Sequence, residues 1–225
     1  MTALKRRLPS NTRTPKAQRR QPLAEFQGLR IRRRYSVEND VTLFPGDCQA
    51  LLSKIRASGE RARLVLTSPP YNIGKVYERA TKTGFDAYIE AQRTIIRACA
   101  QVLQDDGSLC WQVGNHVIDG HIQPLDIFLY PAFIEAGFVL RNRIVWHFEH
   151  GLNRSRSLSG RYETLLWFTR KTANYTFNLD SIRVPQKYPA KKAYRGPRKG
   201  QYLSNPKGKN PGDVWIFPNV KQNHP

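Results

Sequence analysis

The sequence predicts an α/β fold, in which helices alternate with the strands of one layered sheet. Apolar runs of strand length recur between residues 41 and 170, and stretches between them repeat their apolar side chains with the period of a helix. This strand, helix, strand order is typical of a sheet with helices packed on its faces. With 225 residues, the chain can form one domain of ordinary size with a sizeable core.

The first predicted elements surround a short apolar strand. Residues 41–44 form a strand candidate, and residues 49–57 form a helix with one apolar face. Residues 64–67, L-V-L-T, are an apolar run that predicts a strand buried on both faces. Residues 85–103 follow as a long amphipathic helix.

The later elements complete the sheet. The residues D-D-G at 105–107 predict a turn into a strand at 108–113. A helix at 124–136, broken or kinked near its proline, precedes two further strands at 138–148 and 162–170. The α/β region is therefore predicted to occupy residues 35–177.

The strand at 64–67 ends in the turn Ser68-Pro69-Pro70-Tyr71. Successive prolines fix φ and exclude the helical region for the residue before each of them, so this turn is stiff. Functional groups of an open parallel sheet collect where its strands end at the carboxyl edge. A stiff turn at that edge is a candidate catalytic site, although a proline-rich turn after a core strand is the simpler interpretation.

The turn offers the groups that one chemistry requires. The amino group of adenine or cytosine is a poor nucleophile because its lone pair is delocalised into the ring. The Ser68 hydroxyl and the Pro69 carbonyl would accept its hydrogens and return electron density to the nitrogen, which is a form of electrostatic preorganisation. The Tyr71 ring would stack on a base that has left the duplex.

The turn resembles the catalytic motif (Asp/Asn/Ser)-Pro-Pro-(Tyr/Phe/Trp) of the DNA amino-methyltransferases. Its context T-S-P-P-Y-N-I-G and the later segments F-N-L-D, R-V-P and G-K-N-P-G-D-V-W resemble one subgroup of that family. The resemblance implies a methyltransferase-type, Rossmann-like sheet with a reversed hairpin at its end. It also implies S-adenosylmethionine as cofactor and methylation of cytosine N(4) or adenine N(6), with serine before the prolines favouring cytosine.

The resemblance also assigns site residues. Ser68, Pro69, Pro70 and Tyr71 are the catalytic candidates. Asp47 and Thr67 are the cofactor candidates, although Asp47 also fits a plain helix N-cap. The nucleic-acid-binding candidates are polar or basic residues in three loops: Asn72, Lys75, Arg154, Arg156, Lys191, Lys192 and Arg195. No metal site is predicted, because the histidines have no partners at metal-ligand spacing, and Glu163 receives no role.

Positive charge is concentrated at the two ends of the chain. The net charge is +20, and residues 1–34 hold eleven Lys or Arg against one acidic residue. Residues 181–225 hold ten against one. Basic ends on a nearly neutral centre predict contacts with DNA phosphates. Residues 1–34 are predicted to be disordered, either as a DNA-gripping arm or as a solvated tail.

Two polar segments are candidates for DNA contact. Residues 149–161 form a basic loop that would lie along DNA or close over the flipped base, or would simply be a surface loop. Residues 178–225 interleave basic residues with tyrosines, which predicts an irregular segment that follows phosphates and contacts bases. The resemblance implies that this segment takes part in target recognition. An extended linker wrapped on the core is the alternative for this segment.

The chain departs from the family pattern at its end. In the resembled subgroup, the catalytic half is followed by a cofactor half with a glycine-rich turn, and this sequence stops near that point. We therefore expect an incomplete S-adenosylmethionine pocket and an exposed edge on the catalytic strand. We also expect methyl transfer to require a second polypeptide that carries the cofactor half.

The remaining composition indicates the compartment. Cys48, Cys99 and Cys110 are odd in number and lack C-x-x-C spacing, which predicts neither disulfides nor a zinc site. No signal peptide or apolar run of membrane-spanning length is found. The expected location is the cytoplasm.

Three functions remain open from the sequence. The first is a site-specific DNA methyltransferase of the kind found in restriction–modification systems, acting on double-stranded DNA. The second is a noncatalytic nucleic-acid-binding protein, which the charge alone would satisfy. The third is an inactive remnant of a truncated gene.

Overall fold

The computed structural model describes residues 28–74, 83–149, 151 and 153–218. The chain divides into two units, Met1–Pro45 and Gly46–Pro225. In the first unit, strands β1 (Ile31–Arg32) and β2 (Val41–Thr42) pair in parallel. Residues 1–27 of the predicted disordered tail lie outside the described residues, and β1 falls within the range predicted for that tail.

The second unit contains three helices and seven strands within the described ranges. In chain order they are α1 (Cys48–Ser58), β3 (Ala62–Thr67), α2 (Phe85–Val102), β4 (Leu103–Val113), β5 (Asn115–Ile118), β6 (His121–Pro124), α3 (Leu125–Glu135), β7 (Val139–His147), β8 (Tyr162–Thr169) and β9 (Val214–Ile216). A short 3₁₀ helix, Leu179–Ile182, lies between the last two strands.

The main sheet is mixed, with the strand order β3-β4-β8-β7-β9. Strand β3 is parallel to β4, whereas β8 is antiparallel to both β4 and β7. Strands β7 and β8 are the reversed hairpin that the resemblance implies. The predicted α/β layering is therefore confirmed, with helix α2 in contact with both α1 and α3.

An aromatic cluster forms the centre of the core. Trp111 of β4, Phe133 of α3 and Phe168 of β8 are almost fully buried. Phe133 stacks on Phe168 with ring centroids 4.2 Å apart, and Trp111 meets Phe133 edge to face. Such ring pairs add to the stability that burial of apolar area provides. The core thus joins the two central strands to the helical layer.

Strand β3 differs from its prediction of burial on both faces. Val65 packs against the core, but Leu64 and Leu66 are 55% and 65% exposed. Side chains alternate between the faces of a strand, and the described helices pack on the face that Val65 occupies. In the part of the chain that the structure describes, strand β3 pairs with β4 alone and so lies at the end of the sheet. The edge of β3 that was expected to be exposed is therefore unpaired among these residues.

The turn predicted at 105–107 is a bulge inside strand β4. The partners of β3 jump from Leu103, opposite Ala62, to Ser108, opposite Leu64, so the residues between them leave the ladder. Gly107 permits this close approach, because a Cβ there would lie 2.9 Å from the Arg63 carbonyl oxygen. The strand consequently begins five residues before the predicted start.

Helix α3 occupies nearly the predicted range and continues through Pro131. Two further elements depart from prediction. The β5–β6 hairpin was not predicted, and its turn places Asp119 and Gly120 at positive φ. Strand β9 was not predicted either, and it adds a fifth strand parallel to β7.

The basic segment 178–213, which we call the basic excursion, leaves the sheet and is joined to itself by backbone bridges. Isolated bridges join Val184 to Lys209 and Lys192 to Tyr202. The segment returns to the sheet at β9, where the Val145 amide donates to the Asp213 carbonyl. It therefore begins after β8 and ends against β7.

None of the helices in the described part of the chain is long and apolar enough to cross a membrane. Cys48 is exposed, whereas Cys99 is buried and Cys110 partly buried, and all three are free thiols.

Candidate active site

Three strands bring their ends together at the Ser68–Tyr71 turn. Strand β3 leads directly into the turn, and its last residue, Thr67, lies opposite Trp111 of the parallel strand β4. Strand β8 runs the other way, so its first residues lie beside the last residues of β4. The carboxyl ends of β3 and β4 and the amino end of β8 therefore share one edge, as predicted for a catalytic turn.

Within the turn, Pro69 is held in the protein by burial and Ser68 is exposed. Pro69 is buried, while Ser68 and Pro70 are exposed and Tyr71 is partly buried. Tyr71 packs against the hydrophobic core cluster. The Ser68 hydroxyl is thus held at the surface on a turn whose next residue is fixed in the protein.

Four side chains form a hydrogen-bond network at this edge, which we call the turn network. The Ser68 Oγ lies 3.2 Å from the Tyr71 hydroxyl oxygen. The Tyr71 hydroxyl donates to Glu163 Oε2 at 3.0 Å, and Gln112 Nε2 donates to the same oxygen at 2.7 Å. The network joins the turn to the ends of β8 and β4.

The surroundings keep the Tyr71 phenol neutral. Burial raises the pKa of Tyr71, the hydrogen bond with Ser68 opposes this rise, and the nearby Glu163 charge adds to it. Because the phenol stays protonated, its hydrogen remains available for the bond to Glu163.

Gly114 allows the Tyr71 ring to approach the end of β4. A Cβ at Gly114 would lie 3.2 Å from Tyr71 Cε2 and 3.6 Å from Glu163 Cγ. Any larger side chain at this position would press on Tyr71 and Glu163, two members of the turn network. The glycine is therefore part of the site because of the space it leaves.

Asn72 closes the loop that follows the turn. It is buried, has φ +57°, and its amide nitrogen donates to the Thr83 carbonyl at 2.8 Å. The Thr83 amide donates back to Asn72 Oδ1 at 3.3 Å. These bonds give Asn72 a structural role, and its predicted contact with nucleic acid stays a prediction. Lys75, the next candidate, lies outside the described residues.

The two cofactor candidates belong to different elements, Asp47 to the start of α1 and Thr67 to the end of β3. Asp47 is the N-cap of α1, where its Oδ1 accepts a hydrogen bond from the Gln49 amide at 2.6 Å. This confirms the capping interpretation and leaves the cofactor role a prediction. Thr67 is partly buried at the end of β3, directly before Ser68.

The loop between β7 and β8 carries two predicted DNA contacts. Arg154 and Arg156 are exposed, and the Arg154 amide donates to Ser159 Oγ at 3.1 Å. Arg161 donates to Asn153 Oδ1 at 2.7 Å across the same loop. The loop is therefore folded on itself and presents its basic side chains outward.

The remaining DNA candidates lie on the basic excursion. Lys191, Lys192 and Arg195 are all exposed. The Lys192 ammonium lies 4.8 Å from the centre of the Tyr202 ring, and Tyr194 is 85% exposed. Exposed tyrosines beside cations are suited to contact with bases and phosphates.

Three members of the site were not identified from the sequence. Glu163 and Gln112 follow Ser68 by many residues, and only the pairing of β4 with β8 brings them to the turn. Gly114 has no side chain, so no chemical group in the sequence pointed to it. One signal was present: Glu163 is a charged residue at the start of an otherwise apolar strand.

Comparison with known proteins identifies the family. Residues 62–225 match the model of the DNA methylase family. The chain is 48% identical to the type II methyltransferase M.BglII of Bacillus subtilis over 184 residues, which are 81% of this chain and 49% of that protein. It is 34% identical to M.ScaI of Streptomyces caespitosus over 83% of this chain and 58% of that protein.

A third relative is the DNA adenine methyltransferase YhdJ of Escherichia coli, which is 31% identical over 82% of this chain and 62% of that protein. Among solved structures, the cytosine-N(4)-specific PvuII DNA methyltransferase shares the fold with a TM-score of 0.55 at 15% identity. The alignment covers 80% of this chain and 58% of PvuII. The chain spans about half the length of M.BglII. On the extent of the family match and the level of identity, the chain belongs to the DNA methylase family.

Proposed function

We propose that this chain is the catalytic half of a site-specific DNA methyltransferase that methylates the exocyclic amino group of a flipped base. The observation that carries the proposal is the Ser68–Tyr71 turn, which stands at the end of β3 with its serine hydroxyl exposed. The family match and the type II methyltransferases among the relatives support it.

The residues of the turn would act on the amino group. The Ser68 hydroxyl and the Pro69 carbonyl oxygen accept its two hydrogens and raise the electron density on nitrogen. The nitrogen would form a bond to the methyl carbon as the bond between that carbon and the donor's sulfur breaks with its electron pair left on sulfur, and the nitrogen would afterwards lose one proton to solvent. The half-buried Tyr71 ring is the proposed stacking surface for the base. S-adenosylmethionine supplies the electrophilic methyl group.

The described residues match a site for this methyl donor only in part. Asp47 and Thr67 remain the proposed contacts, and Leu64 and Leu66, on the same strand as Thr67, are largely exposed. Within the described ranges, no strand leads into closely spaced glycines. We therefore propose that the pocket is completed by further polypeptide that packs on β3, either in the same protein or in a partner.

Cytosine N(4) is the proposed target atom. Serine in the first position of the turn favours it, and adenine N(6) is the alternative. Analysis of the nucleosides from DNA methylated by the active protein distinguishes the two. N(4)-methylcytosine is the expected product, and N(6)-methyladenine would reverse the assignment.

Double-stranded DNA is the proposed partner. Arg154, Arg156, Lys191, Lys192 and Arg195 are exposed and would contact phosphates, with Asn72 and Lys75 following the turn as further proposed contacts. The free thiols and the DNA substrate fit a cytoplasmic protein.

A methyl-transfer assay with labelled S-adenosylmethionine tests the function. The first sample is the 225-residue chain alone. The second is a fusion in which this chain replaces the matching half of M.BglII. We expect strong transfer to unmethylated DNA from the fusion and little from the chain alone. Strong transfer by the chain alone would refute the need for further polypeptide, and none from either sample would refute the enzymatic function.

Ser68→Ala in the fusion separates an enzyme from a noncatalytic DNA-binding protein, which the basic charge alone would also explain. Loss of a preorganised polar contact to the reacting group lowers the rate by roughly 100-fold or more. Affinity for duplex DNA, measured by fluorescence anisotropy, should stay unchanged. Equal rates for the variant and the parent would exclude Ser68 from catalysis.

A further inference from the structure

The turn network contains a carboxylate that the proposed reaction does not use directly. Glu163 lies on β8, is partly buried, and accepts hydrogen bonds from both Tyr71 and Gln112 on the same oxygen. Gln112 holds this oxygen in place from strand β4. Glu163 is thus held by Gln112 and bonded to Tyr71 of the turn. A carboxylate in this position can set the orientation of the hydroxyl groups of the turn.

The direction of each hydrogen bond in the network follows from the groups involved. A carboxylate can only accept, so the Tyr71 hydroxyl must donate its one hydrogen to Glu163. The Tyr71 oxygen then has only lone pairs left for Ser68, which lies 3.2 Å away. The Ser68 hydroxyl must therefore donate to Tyr71. The two hydroxyl hydrogens both point along the network toward Glu163.

This direction determines what Ser68 offers to a substrate. With its hydrogen committed to Tyr71, the Ser68 oxygen presents lone pairs to its exposed side. A serine hydroxyl that instead pointed its hydrogen at the amino nitrogen would withdraw electron density from it. The network thus selects the orientation in which Ser68 accepts a hydrogen from the amino group.

We propose that Glu163 is a positioning residue that, through Tyr71, fixes the Ser68 hydroxyl as a hydrogen-bond acceptor toward the target amino group. The inference rests on the proposed function, and it gives Tyr71 a second task besides stacking. Gln112 and Gly114 serve the same arrangement, one by holding the carboxylate and the other by leaving room for the ring.

Rate measurements on the M.BglII fusion test the proposal. Tyr71→Phe keeps the ring but removes its hydroxyl, and Glu163→Ala removes the acceptor. Each should lower kcat by about 10- to 100-fold, because a small misplacement of a group that contacts the reacting atom can cost up to about 100-fold, with little change in KM for DNA. Because both variants interrupt one network, the double variant should be no slower than the slower single variant. Losses that multiply would contradict the proposal.

Two further variants serve as controls. In Glu163→Gln, the amide oxygen can replace the accepting carboxylate oxygen, so kcat should recover most of the loss seen in Glu163→Ala. Glu60→Ala removes an exposed carboxylate at the other end of β3 and should leave kcat unchanged. Glu163→Gln and Tyr71→Phe also nearly preserve the side-chain volume. If Glu163→Ala fails to fold, these two variants still test the proposal. A wild-type kcat in Glu163→Ala would overturn the proposal.

A spectroscopic measurement on the 225-residue chain does not depend on activity. Tyrosines labelled with ¹³C at Cζ report their ionisation by NMR, and Tyr71→Phe identifies the Tyr71 signal. In the wild type, this signal should remain protonated while exposed tyrosines ionise near pH ~10. In Glu163→Ala, it should ionise at lower pH than in the wild type, because the carboxylate charge is gone.

An identical Tyr71 titration in both proteins would refute the contact with Glu163. Absence of methyl transfer by the unsubstituted fusion would instead contradict the proposed function, and the Tyr71 titration would then decide by itself whether Glu163 holds Tyr71. The two failures are therefore distinguishable.

Discussion

Strands β8 and β3 lie in one sheet but are stabilised differently. Strand β8 has a neighbour on each side, and Leu166 and Phe168 are almost fully buried. Strand β3 has one neighbour, and two of its leucines are largely exposed. Both strands nevertheless contribute to the site, since β3 leads into the turn and β8 carries Glu163. The comparison shows that the proposed catalytic turn follows a strand with little covering and is bonded to Glu163 of a strand that is well buried.

The largest expected effect is near the end of β8, where Phe168 lies at the centre of the core. Phe168→Ala removes a fully buried ring that stacks on Phe133, and the free energy of unfolding should fall by about 3–5 kcal/mol. Leu66→Ala on β3 is the matched control, and its cost should stay within about 0.5 kcal/mol because the side chain is already exposed. Urea unfolding of the two variants measures the difference. Similar costs would mean that β3 is as well covered as β8.

A smaller effect is expected where α3 contacts β7. The Asp126 side chain is buried, and Arg143 donates to it from Nε at 2.6 Å and also from Nη2. Arg143→Met leaves the buried carboxylate without this partner and should cost roughly 2–3 kcal/mol, less than a fully buried pair because Arg143 is half exposed.

Lys171→Met is the control for this ion pair. It breaks an exposed contact with Asp105 and should cost clearly less than Arg143→Met in the same urea experiment. If the two methionine variants lose equal stability, the Asp126 pair is no more important than a surface pair.

The buried thiols predict a pH dependence of stability. Burial raises the pKa of Cys110 to about 11 and that of Cys99 to about 12. Unfolded thiols ionise near pH ~8.5, so the folded state keeps protons that the unfolded state loses. Stability is therefore full below this pH and falls as pH rises toward the folded values, by about 1 kcal/mol per thiol at pH ~9. Urea unfolding across this range should show a shallower decline in Cys110→Ala, and an unchanged decline would refute the assignment.

The smallest effect on stability is expected at the exposed face of β3. Leu66→Lys should leave the free energy of unfolding nearly unchanged but reduce self-association, because it places a charge beside the unpaired edge of β3. Sedimentation velocity of the chain by itself measures this. Ile127→Lys, at another exposed apolar position on α3, should not reduce association. Equal behaviour of the two variants would show that the edge does not mediate the contact.

Local sequence patterns predicted the elements whose causes are local. The helix at 85–103 and the strand at 162–170 were placed within one residue, because their apolar side chains repeat regularly. The stiff Ser68–Tyr71 turn follows from its own prolines. The N-cap at Asp47 likewise depends only on neighbouring residues.

Features that depend on distant residues could not be predicted in this way. The run L-V-L-T does not reveal that helices cover only one face of β3. Strand β9 has three residues, too few for a period, and exists because β7 offers it an edge. Glu163 reaches Tyr71 only through strand register, which one sequence does not show.

The basic excursion at 178–213 has both ends held by the same sheet, at β8 and at β9. Residues between these two anchors can be replaced or lengthened while the strands that carry Ser68 and Glu163 keep their positions. Evolution could thus exchange one proposed DNA-contacting segment for another while the proposed catalytic turn stays unchanged. Grafting the corresponding excursion of a relative onto this sheet is accordingly a route to enzymes with altered sequence preference.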